Sequence, residues 1–109
     1  MQDLANQTTN QGTLMQTFIY SIYDVKAKAY LMPIMMATDA IAVRSFTNAV
    51  NQEGHQFNSN PEDYTLHRIG LFDDENAEIT HSNPELIISG LQALDTSAIK
   101  NPHLEAVNS

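Results

Sequence analysis

The stretch TFIYSIY, residues 17–23, decides the fold more than any other part of the chain. It is dense in aromatic and β-branched residues, and Phe18, Tyr20 and Ile22 share one parity of the alternation. This composition is typical of a β-strand, where side chains point alternately to the two faces of a sheet. We therefore predict a strand here, with Asp24-Val25 as a short connection to the next element.

A second strand is predicted from Lys26 to Met32, where alternation is weaker but still visible. It would place Lys26, Lys28 and Tyr30 on one face and apolar residues on the other. Pro33 ends this strand, because proline has no backbone N–H for a sheet ladder. The two strands together are expected to form a hairpin.

A helix is predicted from Asp39 to Gln52. Thr38 or Asp39 can cap its N-terminus through a side-chain oxygen, and Gly54 is well placed to stop it. The apolar residues recur at helical spacing: Ala42, Val43, Phe46, Ala49 and Val50. One face of this helix should therefore be buried.

The second half of the chain repeats the order of the first. After a polar loop over residues 55–63, strand composition returns at 64–72, followed by a turn at 73–76 and a short strand over 77–80. A final helix is expected from Pro84, with Gly90 weakening it. Its partly helical spacing involves Leu86, Ile87, Leu91 and Leu94.

The predicted fold class is α+β, a two-layer arrangement with helix packed on one face of a small, mainly antiparallel sheet. The order is β-β-α-β-β plus the C-terminal helix. A chain of 109 residues accommodates one core. We assign that domain to residues 14–95, a flexible polar arm to 1–13 and a loose tail to 96–109.

The charge is strongly and unevenly acidic. The formal net charge is −8, and residues 71–109 carry seven acids against the single base Lys100. A broad basic surface for nucleic acid is thereby excluded, because such affinity grows with the number of Lys and Arg contacts. Any contact with nucleic acid must be local, weak or assisted.

Motifs for catalysis, metals or cofactors are missing from the sequence. The chain has no cysteine, no apolar run long enough to cross a membrane, and four dispersed histidines, His55, His67, His81 and His103. The acidic run at residues 73–78 lacks the alternate oxygen ligands of a calcium loop and is interpreted as a solvated turn. We expect no enzyme activity and no cofactor.

One group of residues favours binding of nucleic acid over catalysis. Sheet surfaces that combine exposed aromatic rings with a few cations stack single-stranded bases and neutralise phosphates. The candidates are Lys26, Lys28, Tyr30, Tyr64, His67 and Arg68. The alternative is that the tyrosines pack in the core while the basic residues only solvate strand edges.

Two segments, taken together, carry a resemblance to a known family: IYSIYDVKAKAYLMP (residues 19–33) and NPEDYTLHRIGLFDDENAEI (residues 60–79). With the intervening TDAIAVRSFTNAVNQ and the HQF of residues 55–57, they resemble the small non-structural protein of gokushovirus-like microviruses, tailless phages with single-stranded DNA genomes. The matching positions are Asp24, Lys26, Lys28, Tyr30, Arg44, Pro61, Asp63, Tyr64, Arg68 and Gly70. Arg44 thereby joins the candidate nucleic-acid-binding residues.

The resemblance implies an accessory protein in the host cell cytoplasm that binds single-stranded DNA or the replication complex. It would support single-strand synthesis and packaging, and the family brings no catalytic residue with it. The alternative is an acidic adaptor that binds a viral or host replication protein without touching DNA. A homo-oligomer is also expected, because a free sheet edge can pair across a two-fold axis.

Overall fold

A computed structural model of the chain describes residues 16–94. The predicted arm 1–13 and tail 96–109 lie outside these residues, as does His103. The strands are β1 (Gln16–Asp24), β2 (Ala29–Tyr30), β3 (Ile34–Met36), β4 (Tyr64–Asp73) and β5 (Glu78–Ser89). The helices are α1 (Asp39–Val50), α2 (Gln56–Ser59) and a 3₁₀ turn at Pro61–Asp63, and residues 90–94 are also helical.

All strand pairings are antiparallel. β1 pairs with β4 along one edge and with both β2 and β3 along the other, while β5 pairs with β4. The result is one small sheet in which β1 and β4 are central and β5 lies at the border. The predicted α+β class and both predicted hairpins are confirmed.

Helix α1 covers one face of this sheet, which we call the inner face. Thr38 caps the helix, since its hydroxyl accepts a hydrogen bond from the amide of Ile41 at 3.2 Å. The core between helix and sheet contains Tyr20, Ala42, Phe46, Val50, Phe57, Tyr64, Leu66 and Ala93. The helical spacing in the sequence thus identified the buried face of α1 correctly.

The prediction of a helix from Pro84 is wrong. β5 continues through Pro84 to Ser89, and helical structure begins only at Gly90. Proline is tolerated because β5 is a border strand and its register with β4 is irregular between the pairs Gly70–His81 and Arg68–Glu85. The true helix start carries a capping box, in which Ser89 and Gln92 each bind the other's backbone amide.

The predicted second strand is shorter than expected. Residues 25–28 form a turn, held by the carboxylate of Asp24, which accepts hydrogen bonds from the amides of Lys26 and Ala27. Lys28 has a positive φ of 56°, so both lysines lie in the turn and not on a strand face. The Met-rich passage after Pro33 forms the unpredicted strand β3, and the polar loop contains α2.

An irregularity in register determines which side chains share a face. Ile19 pairs with Gly70 whereas Tyr20 pairs with Arg68, so Ile69 is the extra residue of a β-bulge. The alternation therefore reverses across the bulge: Arg68 faces the inner side, and Gly70 faces the opposite side, which we call the outer face. Within residues 16–94, no helix covers the outer face.

Candidate functional site

Arg68 lies on the inner face, where it joins the sheet to the start of α1. Its guanidinium donates hydrogen bonds to the carboxylates of Asp39 and Glu85, each at 2.5 Å. The hydroxyl of Tyr20 donates to the other oxygen of Asp39 at 2.5 Å, and the guanidinium carbon lies 5.2 Å from the centre of the Phe18 ring. The guanidinium of Arg68 is therefore already bound to two carboxylates and packed against an aromatic ring.

These contacts shift the ionisation of the groups that make them. Burial, followed by the hydrogen bond and the charge of Asp39, raises the pKa of Tyr20 above its usual value. Burial alone would raise the pKa of Asp39, but hydrogen bonds from Tyr20 and Arg68 and the charge of Arg68 outweigh it and lower that pKa. At neutral pH the group is a carboxylate held by a phenol and a guanidinium.

Tyr64 belongs to the core and is 8% exposed. Its ring centre lies 4.5 Å from that of Phe57, and burial, with the nearby charges of Asp24 and Asp63, raises its pKa. Such a ring has no face on which a base can stack. The packing alternative considered from the sequence describes Tyr64, whereas Tyr30 is 44% exposed.

Three aromatic side chains meet at one corner of the outer face, which we call the aromatic corner: the exposed Tyr30 and the half-buried Tyr23 and His67. The ring centre of Tyr30 lies 4.8 Å from that of Tyr23 and 5.6 Å from that of His67. Burial lowers the pKa of His67, so its ring is neutral at physiological pH. The corner thus offers the ring of Tyr30 to solvent, packed against two half-buried rings.

Basic side chains flank this corner but do not enter it. Lys26 and Lys28 are exposed in the turn that leads into β2, and the Lys26 ammonium lies 3.9 Å from the carboxylate of Asp63. At that distance, with a lysine side chain that is 78% exposed, the pair is weak. Arg44 is exposed on α1, on the other side of the sheet.

The seven predicted binding residues therefore fall into three groups. Tyr30 and His67 meet on the outer face, with Lys26 and Lys28 in the adjoining turn. Tyr64 and Arg68 lie on the inner face in contact with protein groups. The third group is Arg44 alone, on the exposed surface of α1.

Sequence reasoning missed two features of the outer face. Tyr23 completes the aromatic corner, and the register of the first hairpin, which pairs Tyr23 with Tyr30, is the signal that could have found it. An apolar groove of about 280 Å³ lies further along the face, lined by Ile19, Pro33, Met35, Ile69, Ile79 and His81, among others. The groove includes the bulged residue Ile69, and no short sequence pattern predicts such a bulge.

Over residues 16–94, no group of three or more His, Cys, Asp or Glu side chains is arranged to hold a metal ion. The same span contains no helix of the length and apolarity needed to cross a bilayer.

Comparison with known proteins assigns the chain to a family. Residues 17–93 match the family model described as "Phage ORF5 protein". The chain belongs to this family. The expected phage origin is thereby confirmed, while the narrower resemblance to gokushovirus-like microviruses stays a prediction. No curated protein and no solved structure gives a significant match.

Proposed function

We propose that this Phage ORF5 family member is a non-structural accessory protein that binds single-stranded DNA through two neighbouring features. These are the aromatic corner and the turn at residues 25–28, which carries Lys26 and Lys28 and which we call the lysine turn. The observation that carries the proposal is the exposed Tyr30 ring, which Tyr23 and His67 support from two sides at 4.8 and 5.6 Å. A ring fixed in this way loses little freedom when a base stacks on it. Stacking of this kind is worth about 1–3 kcal/mol per base.

The local charge pattern supports the same site. On the paired strands, no Lys, Arg, Asp or Glu side chain faces outward. The outward-facing residues are Thr17, Ile19, Ser21, Tyr23, Tyr30, Met35, Thr65, His67, Phe72, Ile79, His81, Leu86 and Ser89. Among the described residues, the paired positions of the outer face thus carry no acid, and the carboxylates nearest the two lysines are those of Asp24 and Asp63. Lys26 and Lys28 supply two positive charges at the border of this face.

Two lysines predict a weak, moderately salt-dependent complex. Binding to single strands falls with salt at a slope of about −0.7 per neutralised phosphate, so two contacts give about −1.4. This slope corresponds to a roughly sevenfold loss of affinity between about 50 and about 200 mM salt. A protein that binds DNA by a broad basic groove would lose far more over the same range.

Fluorescence anisotropy with a labelled oligothymidine tests the proposal. Tyr30→Ala and the pair Lys26→Glu with Lys28→Glu should each weaken binding at least about fivefold, because they remove the stacking ring or reverse the flanking charge. Arg44→Glu is the matched control, since it reverses one charge on the opposite side of the sheet and should change affinity by less than twofold. Absence of binding at tens of micromolar protein in about 50 mM salt would reject the site.

The biological role follows from the family and the resemblance. A phage accessory protein that holds exposed single strands in the host cell cytoplasm would support single-strand DNA synthesis and packaging. The weak, sequence-tolerant binding expected of the aromatic corner suits a protein that must later release the strand. We propose no catalytic step.

A second function is favoured by the acids at the tip of the second hairpin. Asp73, Asp74, Glu75 and Glu78 follow each other at one end of the molecule, and the last three are exposed. This cluster would suit a basic replication protein, and the chain would then act as an adaptor. A pull-down from infected cells with nuclease treatment separates the two functions, because a DNA-bridged partner is lost and a directly bound one remains.

A further inference from the structure

The His67 side chain carries a buried nitrogen with no hydrogen-bond partner. Its Nε2 lies 2.9 Å from the hydroxyl oxygen of Thr65, two residues away in β4. Its Nδ1 is buried, and across residues 16–94 it is the one buried side-chain nitrogen or oxygen left without a partner. Buried polar atoms in folded proteins are nearly always paired, so an exception of this kind indicates a strained or functional position.

The unpaired nitrogen costs more when the ring is protonated. In the neutral tautomer with its proton on Nε2, that nitrogen donates to the hydroxyl of Thr65 and Nδ1 is a bare acceptor. Protonation adds an N–H at Nδ1 together with a positive charge, and the described residues offer no acceptor for it. The folded chain therefore favours the neutral ring, in agreement with the pKa of His67, which burial lowers.

The groups packed around His67 include no carboxylate that could hold an imidazolium. Strand β1 contributes Ser21 and Tyr23, β2 contributes Tyr30, and β5 contributes Leu86. The two phenols are the titratable groups of this set. The charged groups that border the corner are the ammonium groups of the lysine turn, and these oppose a further positive charge.

Tyr30 depends on this ring for its position. Its strand β2 has two residues, pairs with the end of β1, and has no second strand beside it within the described span. The centre of the Tyr30 ring lies 5.6 Å from that of His67 at an interplanar angle of 82°, and 4.8 Å from that of Tyr23. Loss of one of these two neighbours would free a ring that is already 44% exposed.

We propose that His67 is a pH-dependent positioning residue for Tyr30. The neutral imidazole packs against the Tyr30 ring and holds the aromatic corner closed. Protonation sends the imidazole out to solvent, where both nitrogens can donate to water, and this movement releases Tyr30. The effect on DNA rests on the proposed function, because the released ring loses the fixed orientation that favours stacking of a base.

The sign of the pH dependence follows from the cost of burying the charged ring. An imidazole that has left the corner is solvated and titrates near the ordinary value of 6.5, whereas burial holds the pKa of the closed form below that value. The open form therefore binds more protons in the interval between these two values. The corner stays closed above pH 6.5 and opens progressively as the pH falls below it.

Nuclear magnetic resonance of the full chain without DNA tests the switch directly. Between about pH 8 and about pH 5, the His67 ring should titrate with a midpoint below 6.5. The aromatic resonances of Tyr30 should move with the same midpoint, from ring-current-shifted positions at high pH towards those of a free tyrosine at low pH. A histidine with a purely structural role would titrate without moving Tyr30.

Two variants assign this titration to His67. His67→Phe keeps an aromatic ring beside Tyr30 but takes up no proton, so the Tyr30 resonances should stay constant over the same pH range. His81→Phe is the matched control, since His81 is an exposed histidine on the same face and receives the same replacement. This variant should keep the wild-type titration of Tyr30.

Fluorescence anisotropy then measures the consequence for DNA. Complete removal of the Tyr30 ring is expected to weaken binding at least about fivefold, and release of the ring costs part of this. Between about pH 7.5 and about pH 5, the affinity of the wild type relative to His67→Phe should therefore fall at least about twofold. Salt of about 200 mM keeps the contribution of the added histidine charge small.

Three outcomes would overturn the switch. The first is a His67 midpoint at or above 6.5, which would show that the two tyrosine rings hold the imidazolium by cation–π contact. The second is a set of Tyr30 resonances that do not follow the His67 titration. The third is a Tyr30 titration that persists in His67→Phe. A linked titration in a chain that binds no DNA would keep the switch and reject the proposed function.

Discussion

Replacing Arg68 with methionine separates the two roles that the sequence and the structure assign to this residue. Methionine keeps most of the apolar length of the side chain but removes the guanidinium. The variant therefore loses the hydrogen bonds to Asp39 and Glu85 and the contact with the Phe18 ring. The packing of the stem between helix and sheet is largely kept.

The expected loss of stability comes mainly from Asp39. A hydrogen bond between charged groups contributes about 1.5–3 kcal/mol, and the lower value applies here because the Asp39 side chain is 41% exposed. The Glu85 carboxylate is 63% exposed, so that pair adds only about 0.3 kcal/mol. The ring contact adds about 0.5 kcal/mol, which gives a total near 2 kcal/mol and a decrease in Tm of about 10 °C.

Urea denaturation followed by circular dichroism measures this change. Arg44→Met is the control, because Arg44 is exposed on α1 and its replacement should change the free energy of unfolding by less than about 0.5 kcal/mol. A double-mutant cycle of Arg68→Met with Asp39→Asn should give a coupling energy near 1.5 kcal/mol. Coupling close to zero, or a marked loss of DNA affinity in the Arg68→Met protein at unchanged stability, would refute the reasoning.

Two further predictions concern stability. Gly90→Ala should destabilise the protein by about 3 kcal/mol in a urea titration, because an added Cβ would lie 2.1 Å from the carbonyl oxygen of Pro61; Gly54→Ala, at a φ of +90° with open space around it, should cost only about 1 kcal/mol. The lowered pKa of Asp39 means that its contribution is complete above the ordinary value of 3.8 and is lost as the pH falls through the lower, folded value. The urea midpoint should therefore drop more steeply below pH 4 in the wild type than in Asp39→Asn, and equal slopes would contradict the assignment.

Local patterns predicted the elements that depend on near neighbours in the chain. The alternation over residues 17–23 located β1, and Thr38 with the helical spacing after it located α1. The turn residues at 73–76 located the second hairpin. In each case a short-range signal, such as period, cap or turn chemistry, agrees with the tertiary structure.

The same local reasoning failed at Pro84 and at the lysine turn. Proline marks both the first turn of a helix and a border strand, and only the position of β5 in the sheet separates these possibilities. The sequence predicted a two-residue connection at Asp24-Val25, whereas the turn extends over residues 25–28, so Lys26 and Lys28 lie in the turn and not on a strand face. An error of a few residues in a turn changes the surroundings of every side chain next to it.

The amino-acid sequence by itself determined the class of fold, the buried face of α1, the acidic balance and the absence of thiol chemistry, because these depend on composition and short-range periodicity. Tertiary structure alone decided that Arg68 and Gly70, two residues apart in one strand, lie on opposite faces of the sheet. The bulge at Ile69 and the 29-residue separation between Asp39 and Arg68 lie beyond any local pattern. The candidate site is formed by strand pairing, which brings together residues that are far apart in the sequence.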